Sequence, residues 1–353
     1  MSAIDLLAHD TPTVPVVMPA GREATAPPER RGVARDQVPM LVARPDGVVH
    51  GRFAHLGAHL HPGDVVVVNV SATLPAALDG AVGGRRIVLH LSTRRDDDTW
   101  VVELRHPDGS GPVLDAEVGH VVALPDGASA QLLAPGAPGP DGGTRLWVAR
   151  LDVAVRRHRW LAAHGRPITY GYVRERFPLE DYQTVFARHP GSAEMPSAGR
   201  PFTPAVVTDL VSRGVEVVPV TLHTGVSSLE ASEPPRPEWF EVPPSSARAV
   251  ERARRDGGRV VAVGTTVART LESAVDRRGR VRAARGWTDL VLGPDRPARV
   301  VGGLVTGWHE PGASHLRLLE AVAGRQLVAD AYAAAVDGPY LWHEFGDSCL
   351  LLP

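Results

Sequence analysis

The sequence has no lysine, one asparagine, Asn69, and one cysteine, Cys349, among its 353 residues. Without lysine it can form no Schiff base with a carbonyl substrate, cannot attach pyridoxal phosphate and has no phosphate-binding lysine of the Walker type. A single cysteine allows no disulfide within the chain and no cysteine-rich zinc or iron–sulfur site, and we expect Cys349 to be an ordinary packing residue. These absences exclude several classes of enzyme before any motif is considered.

Long apolar runs are missing too. No stretch approaches the roughly 18 apolar residues that span a bilayer, and residues 1–15 do not combine a basic segment with a long apolar run. The sequence therefore predicts a cytoplasmic protein with no membrane partner. Because 353 residues exceed the length of one typical domain, we expect two domains.

The chain has no overall excess of positive charge, since its formal net charge is −2. This counts against a nucleic-acid partner without excluding one, because a local arginine face can coexist with a neutral total. Two arginine clusters are candidates for such a face: Arg156, Arg157 and Arg159, and Arg252, Arg254 and Arg255. A solvated helix surface is the commoner explanation for either cluster.

The pattern of residues changes between about Leu74 and Leu151, where short β-type runs alternate with Gly, Pro and Asp turns. Such spacing is typical of a small barrel or sandwich. The strands predicted there are Arg86–Ser92, Trp100–Leu104, Val121–Leu124 and Leu146–Leu151. By composition, Ala134–Gly143 is predicted to be a loop.

Outside that region the pattern is mixed α/β, with helical and strand-like segments in alternation. The predicted strands are Met40–Ala43, Val48–His50, Val65–Val68, Val215–Leu222, Arg259–Val263 and Cys349–Leu352. The predicted helices are Phe53–Leu60, Pro204–Arg213, Ser245–Asp256, Thr266–Asp276, Leu316–Ala323 and Leu327–Ala335.

The clearest local motif is the turn Gly264-Thr265-Thr266, which follows a predicted buried strand and opens a helix that carries Arg269 and Glu272. The start of such a helix presents free backbone N–H groups and the positive end of the helix dipole, which suits a carboxylate or a ribose. Alternatively, one of the threonines simply caps the helix. The G-x-G-x-x-G fingerprint of dinucleotide-binding proteins is absent.

Two histidines stand at positions suited to proton transfer. His223 follows a predicted strand, and His309 lies beside Trp308 and Glu310 just before a proline that fixes a turn. Histidine acts as an acid or a base near neutral pH. A lone histidine at a strand end is more often a hydrogen-bonded structural residue, so both explanations stay open for His223.

A longer series of motifs resembles one family throughout nearly the whole chain. The series comprises Gly63-Asp64 with Asn69 to Pro75, Tyr182 to Ala187, Gly191-Ser192, Pro196 to Gly199, Phe202-Thr203, Val220 to His223, Ala262 to Thr266 with Arg269 and Glu272, Thr288-Asp289, Thr306 with His309 and Pro311, Ala323-Gly324 and Gly346-Asp347. In this order they resemble the S-adenosylmethionine:tRNA ribosyltransferase-isomerases.

The resemblance implies a mixed α/β fold with two domains. A larger α/β catalytic domain would comprise residues 1–70 and 156–353, and a small β-barrel-like domain, residues 71–155, would be inserted in it. The family moves the ribosyl part of S-adenosylmethionine onto 7-aminomethyl-7-deazaguanine in tRNA, which gives epoxyqueuosine, adenine and methionine. The resemblance therefore implies S-adenosylmethionine as co-substrate, tRNA as partner, no permanently bound cofactor and no metal.

The resemblance also implies roles for particular residues. Donor binding falls to Gly264, Thr265, Thr266, Arg269 and Glu272. Catalysis falls to His309, Glu310 and His223, with Asp347 orienting a neighbour or the ribose. The substrate pocket would include Gln183, Ser197, Gly199, Thr203 and Trp308.

The chain departs from the family pattern mainly on the acceptor side. The family's Gly-Leu-His-Phe-Thr is here Gly199 to Thr203 without the histidine, and its Gly-x-Gly-Thr-Phe is Gly225 to Leu229 without the aromatic residue. Two family arginines are replaced by Ala72 and Ala77. An alternative function is therefore that of a paralogue that uses S-adenosylmethionine on a small-molecule acceptor.

Overall fold

The computed structural model describes residues 19–138, 143–173, 175–227, 236–309 and 314–353. Its α-helices are α1 Arg157–His164, α2 Pro204–Ser212, α3 Pro244–Arg255, α4 Thr265–Ser273, α5 Ser314–Ala323 and α6 Arg325–Asp337. Its strands are β1 Pro39–Arg44, β2 Gly47–Arg52, β3 Val65–Asn69, β4 Ser71–Thr73, β5 Ala77–Val82, β6 Arg85–Arg94, β7 Trp100–Arg105, β8 Val121–Ala123, β9 Ser129–Pro138, β10 Thr144–Asp152, β11 Gly165–Arg166, β12 His189–Ser192, β13 Glu216–Leu222, β14 Glu238–Val242, β15 Val260–Val263, β16 Ala284–Thr288, β17 Gly303–Thr306 and β18 Ser348–Leu351.

A nine-stranded sheet forms the larger part of the molecule, in the order β16-β14-β13-β3-β15-β17-β18-β1-β2. Its four central strands, β13, β3, β15 and β17, run parallel to one another. The sequence of β3 shows why it lies in the middle: Val65 to Val68 are all buried. A strand covered on both faces needs such a continuous apolar run instead of an alternating pattern.

Helices cover both faces of this sheet. On one face, Val65 and Val67 of β3 belong to a core that also contains residues of α3, α4, α5 and α6. On the other face, Val66 and Val68 pack in a second core with α2 and with the 3-10 helix Phe53–His59. The alternation of side chains along a strand thus divides one valine run between two cores.

A closed six-stranded barrel is inserted between β4 and α1. Its strands pair in the order β5-β6-β7-β10-β9-β8, and the contact of Ala81 in β5 with Ala123 in β8 closes the ring. Gly80 permits this closure, because a Cβ there would lie 2.9 Å from the Ala123 carbonyl oxygen. The predicted fold class, a larger α/β domain with an inserted small β-barrel domain, is confirmed.

The segment after the barrel stays attached to it. Trp160 and Leu161 of α1 belong to the barrel's core, and the short β11 pairs with β5. The boundaries predicted at residues 70 and 155 stay a prediction, and this packing favours extending the smaller unit to Arg166.

Several polar contacts join the barrel to the rest of the molecule. Asp96, in the turn between β6 and β7, accepts a 2.8 Å hydrogen bond from Trp287 of β16. Arg145 of β10 donates a 2.7 Å bond to the Ser227 carbonyl and pairs with Glu103 of β7, both side chains being buried. These contacts place the barrel beside the half of the sheet that ends in β16.

Most predicted helices and strands are confirmed within a residue or two, but the predicted loop Ala134–Gly143 is partly wrong. Residues 134–138 belong to β9, and residues 139–142 lie outside the described part. Prolines disfavour a strand when they must donate to a neighbour. Here Pro135 and Pro138 of β9 pair only with β10, because β8 pairs with β9 only at residues 129–131. Bulges also interrupt the register between β9 and β10.

Each helix in the described part is too short or too polar to cross a membrane.

A candidate active site at one edge of the large sheet

The candidate residues meet because several strands end at the same edge of the large sheet. The carboxyl ends of parallel strands lie side by side, and β13, β15 and β17 lead into His223, Gly264 and Gly307, respectively. The antiparallel β18 begins at this edge, since Thr306 is paired with Cys349, so Asp347 arrives there as well. In open α/β sheets, ligands bind outside such carboxyl ends.

The turn at Gly264 takes a conformation that glycine favours. Its φ is +90°, and a Cβ would lie 3.3 Å from the Ala198 side chain. Gly264 is the N-cap of α4, and no side chain caps that helix, so the threonines are not simple capping residues. The Thr265 hydroxyl instead lies 3.3 Å from Nδ1 of His315. The first-turn amides of α4 can therefore bind an anionic group of a ligand.

His309 and His315 form a stacked pair next to this turn. Their rings are nearly parallel, at 7°, with centroids 4.6 Å apart, and Nε2 of His309 lies 3.1 Å from the Thr306 hydroxyl. Burial holds the pKa of His309 well below its usual value. Partial desolvation, with Arg269 nearby, lowers the pKa of His315 below its usual value, although part of the side chain is exposed. Both imidazoles are therefore neutral near pH 7.

His223 is held by a chain of hydroxyl groups. Its Nδ1 lies 2.8 Å from the Ser71 hydroxyl, which is 2.6 Å from that of Ser192. The ring stacks on Trp239 with centroids 5.3 Å apart, and a Cβ on Gly191 would lie 2.4 Å from Nδ1. Burial lowers the pKa of His223 to about 4, so this ring is also neutral near pH 7.

Asp347 is 3% exposed and shapes the loop before β18. Its Oδ2 accepts a 2.7 Å hydrogen bond from the Leu341 amide, and burial raises its pKa to about 6. Within the same loop His343 has a φ of +73°, which non-glycine residues rarely adopt. A strained residue beside a cluster of titratable groups is a frequent feature of functional sites.

Two predicted donor-binding side chains are occupied by protein groups. Arg269 forms an ion pair with Glu238, and its Nε donates a 3.1 Å bond to the Leu290 carbonyl. Glu272 accepts bonds of 2.8–3.1 Å from three successive amides, residues 299–301. It lies two helical turns, or ~10 Å, from Thr265. Both side chains bond to other protein groups and so hold α4 in place. Their contact with a donor stays a prediction.

Among the predicted substrate-pocket residues, Gln183 and Thr203 make structural bonds. The Gln183 amide exchanges two bonds with the Thr73 backbone, at 3.0 and 2.8 Å. Thr203 caps α2 through the Val206 amide. Ser197 and Gly199 form a short 3-10 helix.

Trp308, also predicted in the pocket, is 1% exposed and packs in the core against Tyr332. Glu310 lies outside the described residues.

The sequence did not identify several residues that the fold brings to this edge. His315 stacks on His309, while Tyr172 stacks on His343 with centroids 4.2 Å apart. Glu194 and Glu344 both interact with Tyr172 and both have a raised pKa through burial. They come from separate segments without a shared motif, and only the tertiary fold unites them.

The fold is that of an α/β enzyme with an inserted barrel, and its candidate active site lies at the carboxyl edge of parallel strands. The sequence matches the model of a family described as "Queuosine biosynthesis protein" over residues 16–351. The chain belongs to this family.

Two relatives carry the name S-adenosylmethionine:tRNA ribosyltransferase-isomerase. The protein of Moorella thermoacetica is 34% identical, and that of Heliobacterium modesticaldum 35% identical; each match covers 95% of this chain and 97% of the relative. A crystal structure of the S-adenosylmethionine tRNA ribosyltransferase of Thermotoga maritima is 28% identical with a TM-score of 0.53, covering 96% of this chain and all of that one.

Proposed function

We propose that this chain transfers and isomerises the ribosyl moiety of S-adenosylmethionine onto 7-aminomethyl-7-deazaguanine in tRNA, giving epoxyqueuosine with release of adenine and methionine. The proposal depends chiefly on one observation: relatives of that name align over 95% of the chain, so both domains and all the motifs at the sheet edge are included. The comparisons favour tRNA over a small-molecule acceptor. A cytoplasmic location follows, because tRNA is modified there.

The donor is proposed to bind at Gly264, Thr265 and Thr266. The positive end of α4 suits the methionine carboxylate of S-adenosylmethionine. Arg269 and Glu272 would act indirectly by fixing α4 between β14 and the segment that precedes β17. His315 is added to this group, since it lies beside Thr265.

Proton transfer is proposed to fall to His309, with His223 and Glu310 as alternatives. The sulfonium makes the adjacent C5′ hydrogens acidic, and loss of one leaves a carbanion stabilised by the positive sulfur. A positioned base contributes about 10²- to 10⁴-fold. Holding donor and amine in attack geometry contributes more, about 7–11 kcal/mol. His309 suits the role of base because it is neutral and oriented by Thr306.

The acceptor base is proposed to enter between His309 and His223, with Gln183, Ser197, Gly199 and Thr203 shaping the wall behind it. Trp308 would contribute through the core that supports His309. Asp347 would hold the loop before β18 in place.

The function is tested by mixing the full-length protein, S-adenosylmethionine and tRNA that carries 7-aminomethyl-7-deazaguanine. We expect the added cyclopentane mass on the tRNA and release of free adenine, measured by mass spectrometry and chromatography. The control is tRNA with unmodified guanine, which should release no adenine. Folded enzyme that binds the donor yet forms neither product at low salt would exclude the tRNA function and favour the small-molecule acceptor.

Binding of tRNA is expected to depend on Arg156 and Arg159, which are exposed and form no ion pair with any described residue. Their replacement with glutamine should reduce the slope of log K against log[salt] by about 2, one unit for each phosphate that is no longer neutralised. S-adenosylmethionine affinity should not change. The measurement is a filter-binding titration at several salt concentrations.

The matched control replaces Arg252 and Arg255, which pair with Glu216 and Asp256 and are thus already neutralised. Its salt slope should equal that of the wild type. Equal slopes for both double variants would place the phosphate contacts on another surface.

A further inference from the structure

Stacked aromatic rings form a wall beside His309. The ring of His343 stacks on Tyr172 at 4.2 Å and 12°, and Tyr172 in turn stacks on Tyr170 at 6.1 Å and 19°. The backbone amide of His343 lies 3.4 Å from the Trp308 carbonyl, which places this end of the wall next to His309. The faces of such rings carry partial negative charge and attract cations.

A carboxyl group lies at each end of this wall. Glu194 accepts hydrogen bonds from Tyr170 and from both the amide and the hydroxyl of Ser227. The backbone carbonyl of Glu194 accepts a 2.8 Å bond from Thr224, the neighbour of His223. Glu344 directly follows His343 at the other end. One end of the wall thus lies next to His309, and the Glu194 backbone at the other end is bonded to the neighbour of His223.

Glu344 differs from Glu194 in having a side-chain oxygen without a hydrogen-bond partner. Its Oε1 is buried and has no partner among the residues that the structure describes. Arg200, whose charge acts on Glu344, is already used: it donates 2.9 Å bonds to Glu29 and to the Asp181 carbonyl. Burial and the neighbouring Glu194 raise the pKa of Glu344 to about 8. A buried carboxyl without a partner is costly, and a ligand that donates to it removes that cost.

We propose that Glu344, with the Tyr172–His343 stack, is the subsite for the primary ammonium of the acceptor's aminomethyl group. This inference depends on the proposed function and deepens it. The donor's sulfonium is also a cation, but it has no N–H or O–H to donate, and the donor's α-ammonium goes with its carboxylate to the start of α4. The acceptor's ammonium has three donors, so it can bond the unpartnered oxygen of Glu344 beside these aromatic rings.

The test compares two anticodon stem-loop RNAs, one with 7-aminomethyl-7-deazaguanine and one with the neutral 7-hydroxymethyl analogue. Binding to the full-length protein is measured without S-adenosylmethionine, so that no reaction occurs. We expect the wild type to bind the aminomethyl RNA about 10- to 100-fold more tightly, the range for a hydrogen bond between charged groups. In Glu344→Gln this preference should fall to within about 3-fold, with unchanged affinity for the hydroxymethyl RNA.

Glu180→Gln is the matched control, because Glu180 is an exposed carboxylate on a nearby segment, and it should keep the full preference. Should Glu344→Gln fail to fold, methylammonium chloride at constant ionic strength is added to the wild type. It should compete with the aminomethyl RNA and leave the hydroxymethyl RNA bound.

A preference that survives in Glu344→Gln, or the absence of competition by methylammonium, overturns the subsite. A different result would assign the carboxyl to the sulfonium instead. In that case Glu344→Gln keeps the RNA preference but no longer distinguishes S-adenosylmethionine from S-adenosylhomocysteine, which lacks the sulfonium charge. These binding results are independent of turnover, so a wild type that forms epoxyqueuosine without the preference refutes the subsite alone.

Discussion

Replacing His309 with alanine is expected to lower the rate of adenine release at least ~10²-fold while leaving the affinity for S-adenosylmethionine nearly unchanged. The reason is that His309 is neutral, half-buried and oriented by Thr306, as suits a base for the C5′ proton. Single-turnover kinetics with adenine detection measure the rate, and calorimetry measures donor affinity.

The pH dependence adds a second readout. Because the pKa of His309 is held well below 6.5, its ring stays unprotonated as the pH falls from 8 to 6.5. Protonation of His309 should therefore cause no loss of rate in this range, and loss from that cause should begin only at lower pH.

His61→Ala is the matched control, since His61 is exposed at the amino end of β3, opposite the candidate site. It should retain the wild-type rate. If adenine release stays near the wild-type rate in both His309→Ala and Glu310→Gln, the base lies elsewhere, and His223 is the next residue to replace.

Replacing Arg269 with alanine is expected to reduce the free energy of unfolding by about 3–5 kcal/mol, because it leaves a mostly buried carboxylate without its partner. The side chains of Arg269 and Glu238 are only 11% and 13% exposed. Removal of the bond to the Leu290 carbonyl adds to the effect. Denaturant unfolding measures the change, and calorimetry on the folded fraction should also show weaker S-adenosylmethionine binding as α4 shifts.

Arg252→Ala supplies the comparison, since the pair of Arg252 with Glu216 is 49% and 46% exposed and should cost less than about 1 kcal/mol. A loss below ~1 kcal/mol in Arg269→Ala would show that the Arg269 pair does not hold α4 in place. If the affinity for S-adenosylmethionine is unchanged in Arg269→Ala, the position of α4 does not affect donor binding.

Candidate residues could be predicted from the sequence where they lie in a segment with a clear local structure. The turn at Gly264 combines a buried strand, a glycine and a helix start within seven residues, 260–266, and each feature leaves a local pattern. The same holds for His223, which ends an apolar strand. Parallel pairing of β13, β3, β15 and β17 then brings these strand ends together, and that step follows from the fold class.

Tertiary contacts decided the rest. Nothing near His315 in the sequence shows that its ring lies on that of His309, and nothing near Glu344 shows that its Oε1 is buried without a partner. Arg269 and Trp308 lie in motifs that resemble the family's, yet Arg269 is bonded to Glu238 and Trp308 is packed against Tyr332. Motifs identify a site without separating the residues that contact a ligand from those that support them.

The position of β18 has a consequence for folding during synthesis. This strand lies between β17 and β1 in the large sheet, yet it follows all other described elements in chain order. During synthesis on the ribosome, β1 and β17 therefore cannot be joined in the sheet until β18 has been made. Strands β5 to β10 are complete much earlier and can close into the barrel. We infer that the barrel folds first and that the edge carrying His309 and Asp347 assembles last. Nascent chains should therefore expose one unpaired edge on β1 and one on β17 until β18 has been made.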